Sequence, residues 1–160
     1  MSTKRRKIQS TLRRAHIYDV SDLVQIEEES FKDGWKKKHF LHCLENINNI
    51  NIVAQYQYGI IGFAMCQLSE NRLREKELQV CNFTIHPAWR RKGVGSQIIG
   101  RLIKDLFWYH WACITLEVRE TNLPAQKFFS SQKFLAMDVL RRFYQDTDED
   151  AYVMKYLPLA

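Results

Sequence analysis

The chain is expected to fold as a single α/β (α+β) domain, a mixed sheet of about seven strands flanked by four helices. Three observations predict this class. Its 160 residues suit one domain with a sizeable core, and 46% hydrophobic against 26% charged residues is a globular balance. The hydrophobic period also switches repeatedly between two and 3.6 residues, giving the order strand, helix, helix, three strands, helix, strand, helix, two strands.

Each element has a local signature. "LRRAHIYD" reads as the first strand, and Asp19 is placed to cap a helix that carries Val20, Leu23, Ile26 and Phe31 on roughly one face. A second helix is expected from Trp35 through "KKKHFLHCLENI", with Lys36 to Lys38 on its wet side. "NIVAQYQ" alternates as a strand, Tyr58 and Gly59 make a turn, and "IIGFAMCQL" returns as a hairpin partner. "KELQVCNFTIH" is a strand stopped by Pro87, which has no amide hydrogen for the ladder. Ile99, Leu102, Ile103 and Leu106 then follow helical spacing, so a helix of about 15 residues opens at the glycines. "CITLEVR" is a strand. "NLPAQKFFSSQ" is a short helix with Asn122 as cap and Pro124 in its first turn. "FLAMDVLRRFY" and "DAYVMKYL" are two strands across the acidic turn "QDTDED".

Charge is uneven along the chain. The formal net charge is +6, yet six of the 24 basic residues, Lys4, Arg5, Arg6, Lys7, Arg13 and Arg14, lie in the first 14 positions, where there is no acid. The remaining 18 basic residues equal the 18 acidic ones. Residues 1–11 are therefore expected to be a basic arm and residues 12–160 the folded domain. Such an arm suits a ribosome, RNA or another polyanion, or is simply a frayed, solvated terminus. No apolar run approaches the ~20 residues that span a bilayer, and no signal-like apolar segment opens the sequence, so the expected compartment is the cytoplasm, with no membrane partner. Cys43, Cys66, Cys81 and Cys113 are irregularly spaced, and read as buried reduced thiols. Neither they nor the five histidines have zinc spacing, so no metal is expected.

The stretch "HPAWRRKGVG", residues 86 to 95, sets three cations directly before two glycines and a helix. A strand end, a tight basic turn and a helix start aim backbone N–H groups at one point, and glycines let an anion approach them closely. Neither the Walker pattern nor the dinucleotide-binding glycine pattern fits. "RRKGVG" instead resembles the Gln/Arg-x-x-Gly-x-Gly/Ala signature of the GNAT superfamily, the acetyl-CoA-dependent N-acetyltransferases. That resemblance covers about residues 12 to 157 and implies their fold, a mostly antiparallel sheet. "LEVRETNLPAQKFF" and "RRFYQDTDEDAYVMKYL" further resemble segments of the ribosomal-protein-alanine (Rim-type) N-terminal acetyltransferases.

The resemblance implies roles. Arg90 opens the signature, and the backbone N–H groups of Arg91, Lys92, Gly93, Val94, Gly95 and Ser96 would hold the pyrophosphate of acetyl-CoA, the co-substrate. Phe83, Thr84 and Ile85 would pair with its pantetheine amides. Asn122 matches a cofactor-contacting asparagine, or serves only as the helix cap. Glu117 falls on the general-base position that takes the amine's proton; its bland alternative is a salt bridge with Arg119. Phe129 stands where the family has the tyrosine that protonates the departing thiolate, and Lys133 replaces a glycine. Turnover can persist without that acid because a thiol of pKa ~8.5 is a tolerable leaving group, or Tyr144 substitutes. Tyr144, beside Phe143, matches the substrate side, and both also read as plain strand aromatics. Phe31 and Trp35 resemble the Phe-x-x-Pro-Trp mouth of the acceptor groove, with Gly34 in place of proline. Cys81 reads as an inert thiol rather than a nucleophile.

The expected activity is acetyl transfer to the α-amine of a protein N-terminus, with a ribosomal protein as one candidate acceptor, directly in a ternary complex. The alternatives are a GNAT acting on a small amine or lysine side chain, and a catalytically weakened acyl-CoA-binding or RNA-associated module.

Overall fold

The computed structural model describes residues 5–159. Residues 1–4 of the expected arm, Lys4 included, lie outside them. The strands are β1 (Thr11–Arg14), β2 (Ile50–Tyr56), β3 (Gly59–Glu70), β4 (Lys76–Ile85), β5 (Cys113–Arg119), β6 (Leu135–Tyr144) and β7 (Glu149–Tyr156). The helices are α1 (Val20–Ser30), α2 (Lys37–Glu45), α3 (Val94–Tyr109) and α4 (Leu123–Ser131). The element order is the expected one, and the strands form a seven-stranded sheet in the order β1-β2-β3-β4-β5-β7-β6. The chain divides into two compact units, Met1–Leu68 with Val80–Leu102 and Ser69–Gln79 with Ile103–Ala160.

In the first unit β1, β2 and β3 pair antiparallel, with Leu12 opposite Ala54 and Val53 opposite Phe63. The core here joins Leu23 and Ile26 of α1, Phe40 and Cys43 of α2, and Val53, Phe63 and Met65 of the sheet. The first strand is shorter than "LRRAHIYD" suggested. Asp19 ends it: its carboxylate accepts the His16 N–H at 2.7 Å and a two-pronged Arg13 guanidinium at 2.8 and 2.9 Å, which folds residues 17–19 into a 3-10 turn. Asp19 stands at the N-cap position of α1 without making the expected cap bond, because its oxygens are occupied. The Arg13 guanidinium holds this carboxyl below the ordinary carboxylate range.

In the second unit β4 and β5 run parallel, Leu78 opposite Ile114, while β5–β7 and β6–β7 are antiparallel. Alternation along β5 buries Ile114, Leu116 and Val118 and leaves Thr115, Glu117 and Arg119 half-buried on the other face. Lys133 follows α4 with φ +71°, the left-handed conformation a glycine favours after a helix.

Cys43, Cys66 and Cys113 are buried free thiols. Cys81 is half-buried rather than buried, since it lies on the more exposed side of the alternation in β4. Burial pushes the Cys66 thiol well above its ordinary value.

Candidate active site

The basic loop belongs to the first unit. Residues 87–89 form a 3-10 turn, Arg91 and Gly93 take positive φ of +61° and +87°, and α3 begins at Val94. The first intrahelical bond runs from Gln97 N–H to Gly93 O at 3.2 Å. The N–H groups of Val94 and Gly95 precede it and have no carbonyl four residues back within the helix to meet. Arg90 donates from Nε to the Ile85 carbonyl at 3.0 Å, which fastens the loop to the end of β4. Positive φ is strain-free at Gly93 because no Cβ is present. Helix start, glycine backbone and the neighbouring Arg90, Arg91 and Lys92 together fit a polyphosphate.

Phe31 and Trp35 line a cleft of about 150 Å³ with Glu27, Glu28, Lys32, Gly34 and Lys36. Phe31 is exposed, and Trp35 packs edge-on against Phe40 at 5.3 Å. The second helix starts at Lys37, close to the expected Trp35, whose N–H points to α1. Glu27 Oε1 accepts it at 3.1 Å.

Glu27 is a cleft residue that motif reading missed. It is 3% exposed in α1, and its Oε2 accepts the Asn82 amide at 3.1 Å and lies 3.3 Å from Thr84 Oγ1, whose hydroxyl donates to Asn82 Oδ1 at 2.9 Å. One carboxylate therefore joins the cleft to Thr84 on β4, flanked by Phe83 and Ile85. It also explains Gly34: a Cβ there would stand 2.6 Å from Glu27 Cγ. The available signal was position, for Glu27 lies four residues after Leu23 on the apolar stripe of α1.

The second unit holds Glu117, Arg119, Asn122, Phe129 and Tyr144. Glu117 is half-buried on β5, and its two oxygens share the Gln79 amide at 3.1 and 3.3 Å. Among the described residues it forms no salt bridge. Arg119 instead binds Asp146 at 3.0 Å and Glu149 at 3.6 Å, and its guanidinium lies 3.9 Å over the Tyr144 ring. The Asp146 carboxylate raises the Arg119 pKa. Burial raises that of the half-buried Tyr144 phenol, against the pull of Arg119, so the phenol keeps its proton at neutral pH. Asn122 Oδ1 accepts the Ala125 N–H at 3.2 Å, the cap the sequence suggested. Phe129 is 6% exposed and packs edge-on against Phe128 and Phe134.

A mixed seven-stranded sheet with a cation-rich strand-to-helix loop is an α/β arrangement able to bind an anionic cofactor. The model of the acetyltransferase (GNAT) family matches residues 17–134, and the chain belongs to that family. It is an acyltransferase by that membership. The N-alpha-acetyltransferase of Sulfolobus acidocaldarius is 23% identical over 94% of both chains. The crystal structure of the ribosomal-protein-S18-alanine N-acetyltransferase from Escherichia coli superposes with a TM-score of 0.84 at 24% identity, over 95% of this chain and 96% of that one. Arabidopsis thaliana NAA60 in complex with acetyl-CoA gives 0.84 at 16% identity, over 94% of this chain and 100% of that one. Among the described residues no helix is long and apolar enough to cross a membrane, and no group of three or more metal-ligating side chains is assembled.

Proposed function

We propose that the protein acetylates the α-amine of protein N-termini, ribosomal proteins among them, using acetyl-CoA. The observation that carries this reading is similarity along nearly the whole length of both chains to an N-alpha-acetyltransferase, supported by the named activity of the E. coli structural neighbour. Arg91 to Ser96 hold the pyrophosphate through their backbone, Arg90 braces the loop, and Phe83, Thr84 and Ile85 meet the pantetheine arm. The thioester of the bound co-substrate supplies the activated acetyl group.

An α-amine of pKa ~8 is largely protonated at neutral pH and must lose a proton before it can attack. Glu117 suits that task. Its only side-chain donor among the described hydrogen bonds is the Gln79 amide, which leaves lone pairs to accept a proton directly or through water. Arg119 is held by Asp146 and Tyr144, so it does not quench the carboxylate. In the first unit Phe31 and Trp35 are the acceptor-side residues, and in the second unit Tyr144 is. Tyr144, protonated at neutral pH, stands in for the proton donor that Phe129 is not. Cys43, Cys66, Cys81 and Cys113 form no disulfide among the described residues, which suits a reducing compartment, and we place the activity in the cytoplasm.

The test is mass-spectrometric detection of acetyl transfer to peptides with free N-termini, to the same peptides N-blocked with a free lysine, and to polyamines. Transfer to free N-termini is the expected result. Transfer confined to lysine or polyamines would reject the acceptor and retain the family chemistry.

A further inference from the structure

The described residues before β1, 5–10, carry Arg5, Arg6 and Lys7, and this segment is fastened to the loop. Ile8 donates its N–H to the Lys92 carbonyl at 3.0 Å. Gln97, in the first turn of α3, clamps the same segment with both ends of its amide. Its Nε2 donates to Ile8 O at 2.7 Å, and its Oε1 accepts from Ser10 N at 2.9 Å and Ser10 Oγ at 2.5 Å. Ser10 is 6% exposed as a result. The Lys7 stem lies 3.6 Å from where a Cβ on Gly93 would stand, and so runs along the glycine backbone. Positions 7 to 10, at the end of the expected arm, thus form a strap on the loop.

The geometry has a chemical consequence. In a trans peptide the C=O and the next N–H point in opposite directions. A bond that holds the Lys92 carbonyl toward Ile8 turns the Gly93 N–H away from the strap. The left-handed φ of Gly93 makes this peptide soft enough to flip without such a tether.

We infer that Gln97 and the strap from Lys7 to Ser10 are positioning elements for the polyphosphate of coenzyme A: Gln97 and Ile8 fix the Lys92–Gly93 peptide, and Lys7 adds an ammonium beside it. The inference rests on the reading of the loop as the coenzyme A cradle and extends that cradle to a segment the family signature does not contain. Preorganising the peptide removes an ordering cost from binding, so the effect belongs to cofactor affinity rather than to the chemical step.

The test compares two acetyl donors, acetyl-CoA and phosphate-free S-acetyl-pantetheine, with the full chain. Gln97→Met keeps the side-chain length and removes both polar ends. It is expected to raise KM for acetyl-CoA about tenfold, the size of one lost charge-assisted contact, with kcat within about twofold and KM for S-acetyl-pantetheine unchanged. Lys7→Ala, at an exposed position that leaves folding intact, is expected to raise KM for acetyl-CoA about threefold, and less at high salt. Equal weakening toward both donors, or no change in KM for acetyl-CoA in either variant, overturns the inference. A wild-type protein that uses S-acetyl-pantetheine no worse than acetyl-CoA, or that shows no binding of coenzyme A by calorimetry, overturns instead the cradle on which it rests.

Discussion

Two carboxylates, one in each unit, differ in what their neighbours leave them free to do. Glu27 is buried and receives a backbone N–H and a side-chain amide, with the Thr84 hydroxyl close by. Glu117 is half-buried and shares one amide across both oxygens. A carboxylate whose lone pairs are occupied by fixed donors holds structure together, and taking a proton would break that set. One with lone pairs to spare can accept a proton and release it. Chemical identity is the same in both, and the count of donors is what separates the scaffold from the proposed base.

That contrast can be broken most directly at Glu117. Glu117→Gln keeps the shape and is expected to lower kcat/KM at pH 7 by about 100-fold or more, the usual range for a lost general base, while the thermal midpoint stays nearly unchanged. Glu27→Ala should do the reverse in kind. It strands the Trp35 N–H and the Asn82 amide and is expected to cost about 3 kcal/mol, which a thermal melt would read as a fall of roughly 9 °C for a chain of this length.

Asp19 extends the comparison to a third carboxylate, saturated by Arg13 and the His16 N–H. Its folded pKa is lowered, chiefly by the Arg13 hydrogen bond, so its stabilisation is present above the unfolded carboxylate value of ~3.9 and is lost as pH falls through the folded value. Asp19→Asn is expected to destabilise by about 2 kcal/mol at pH 7. The gap between denaturant titrations of the two proteins should begin to narrow near pH ~3.9 and close only below the lower, folded value, and a gap that persists in stronger acid would show that packing, not charge, is what Asp19 supplies. The smallest effect is expected at Lys133. Lys133→Gly relieves φ +71° and should stabilise by about 0.5–1 kcal/mol with kcat/KM unaltered. Stability and turnover would then be separated from the opposite direction.

The elements were legible because period and punctuation agree along this chain. Pro87, the glycines at 93 and 95, and the spacing of Ile99 to Leu106 marked a strand end and helix start that the structure reproduces within a residue or two. The turn before α3 and the place of Glu117 on β5 were legible because a local motif and an alternating strand need only near neighbours. What escaped were interactions set by long-range geometry. Glu27 meets Asn82 and Thr84 across more than fifty positions, and no spacing rule connects them. The same cause hid the shortened β1, since Asp19 read as a helix cap until Arg13 was brought to its carboxylate. Gln97 carries no motif signal, and its partners Ile8 and Ser10 lie nearly ninety positions away.

The most direct measurement is the pH dependence of acetyl transfer to a free-N-terminal peptide by the wild-type protein and by Glu117→Gln. If Glu117 removes the proton from the bound amine, the variant must wait for amine that is already neutral. Its deficit should be about 100-fold or more at pH 7 and shrink as the pH is raised through the amine's own pKa of ~8. A deficit below about threefold at pH 7, or one that stays constant across that range, would contradict the assignment of Glu117 as the base.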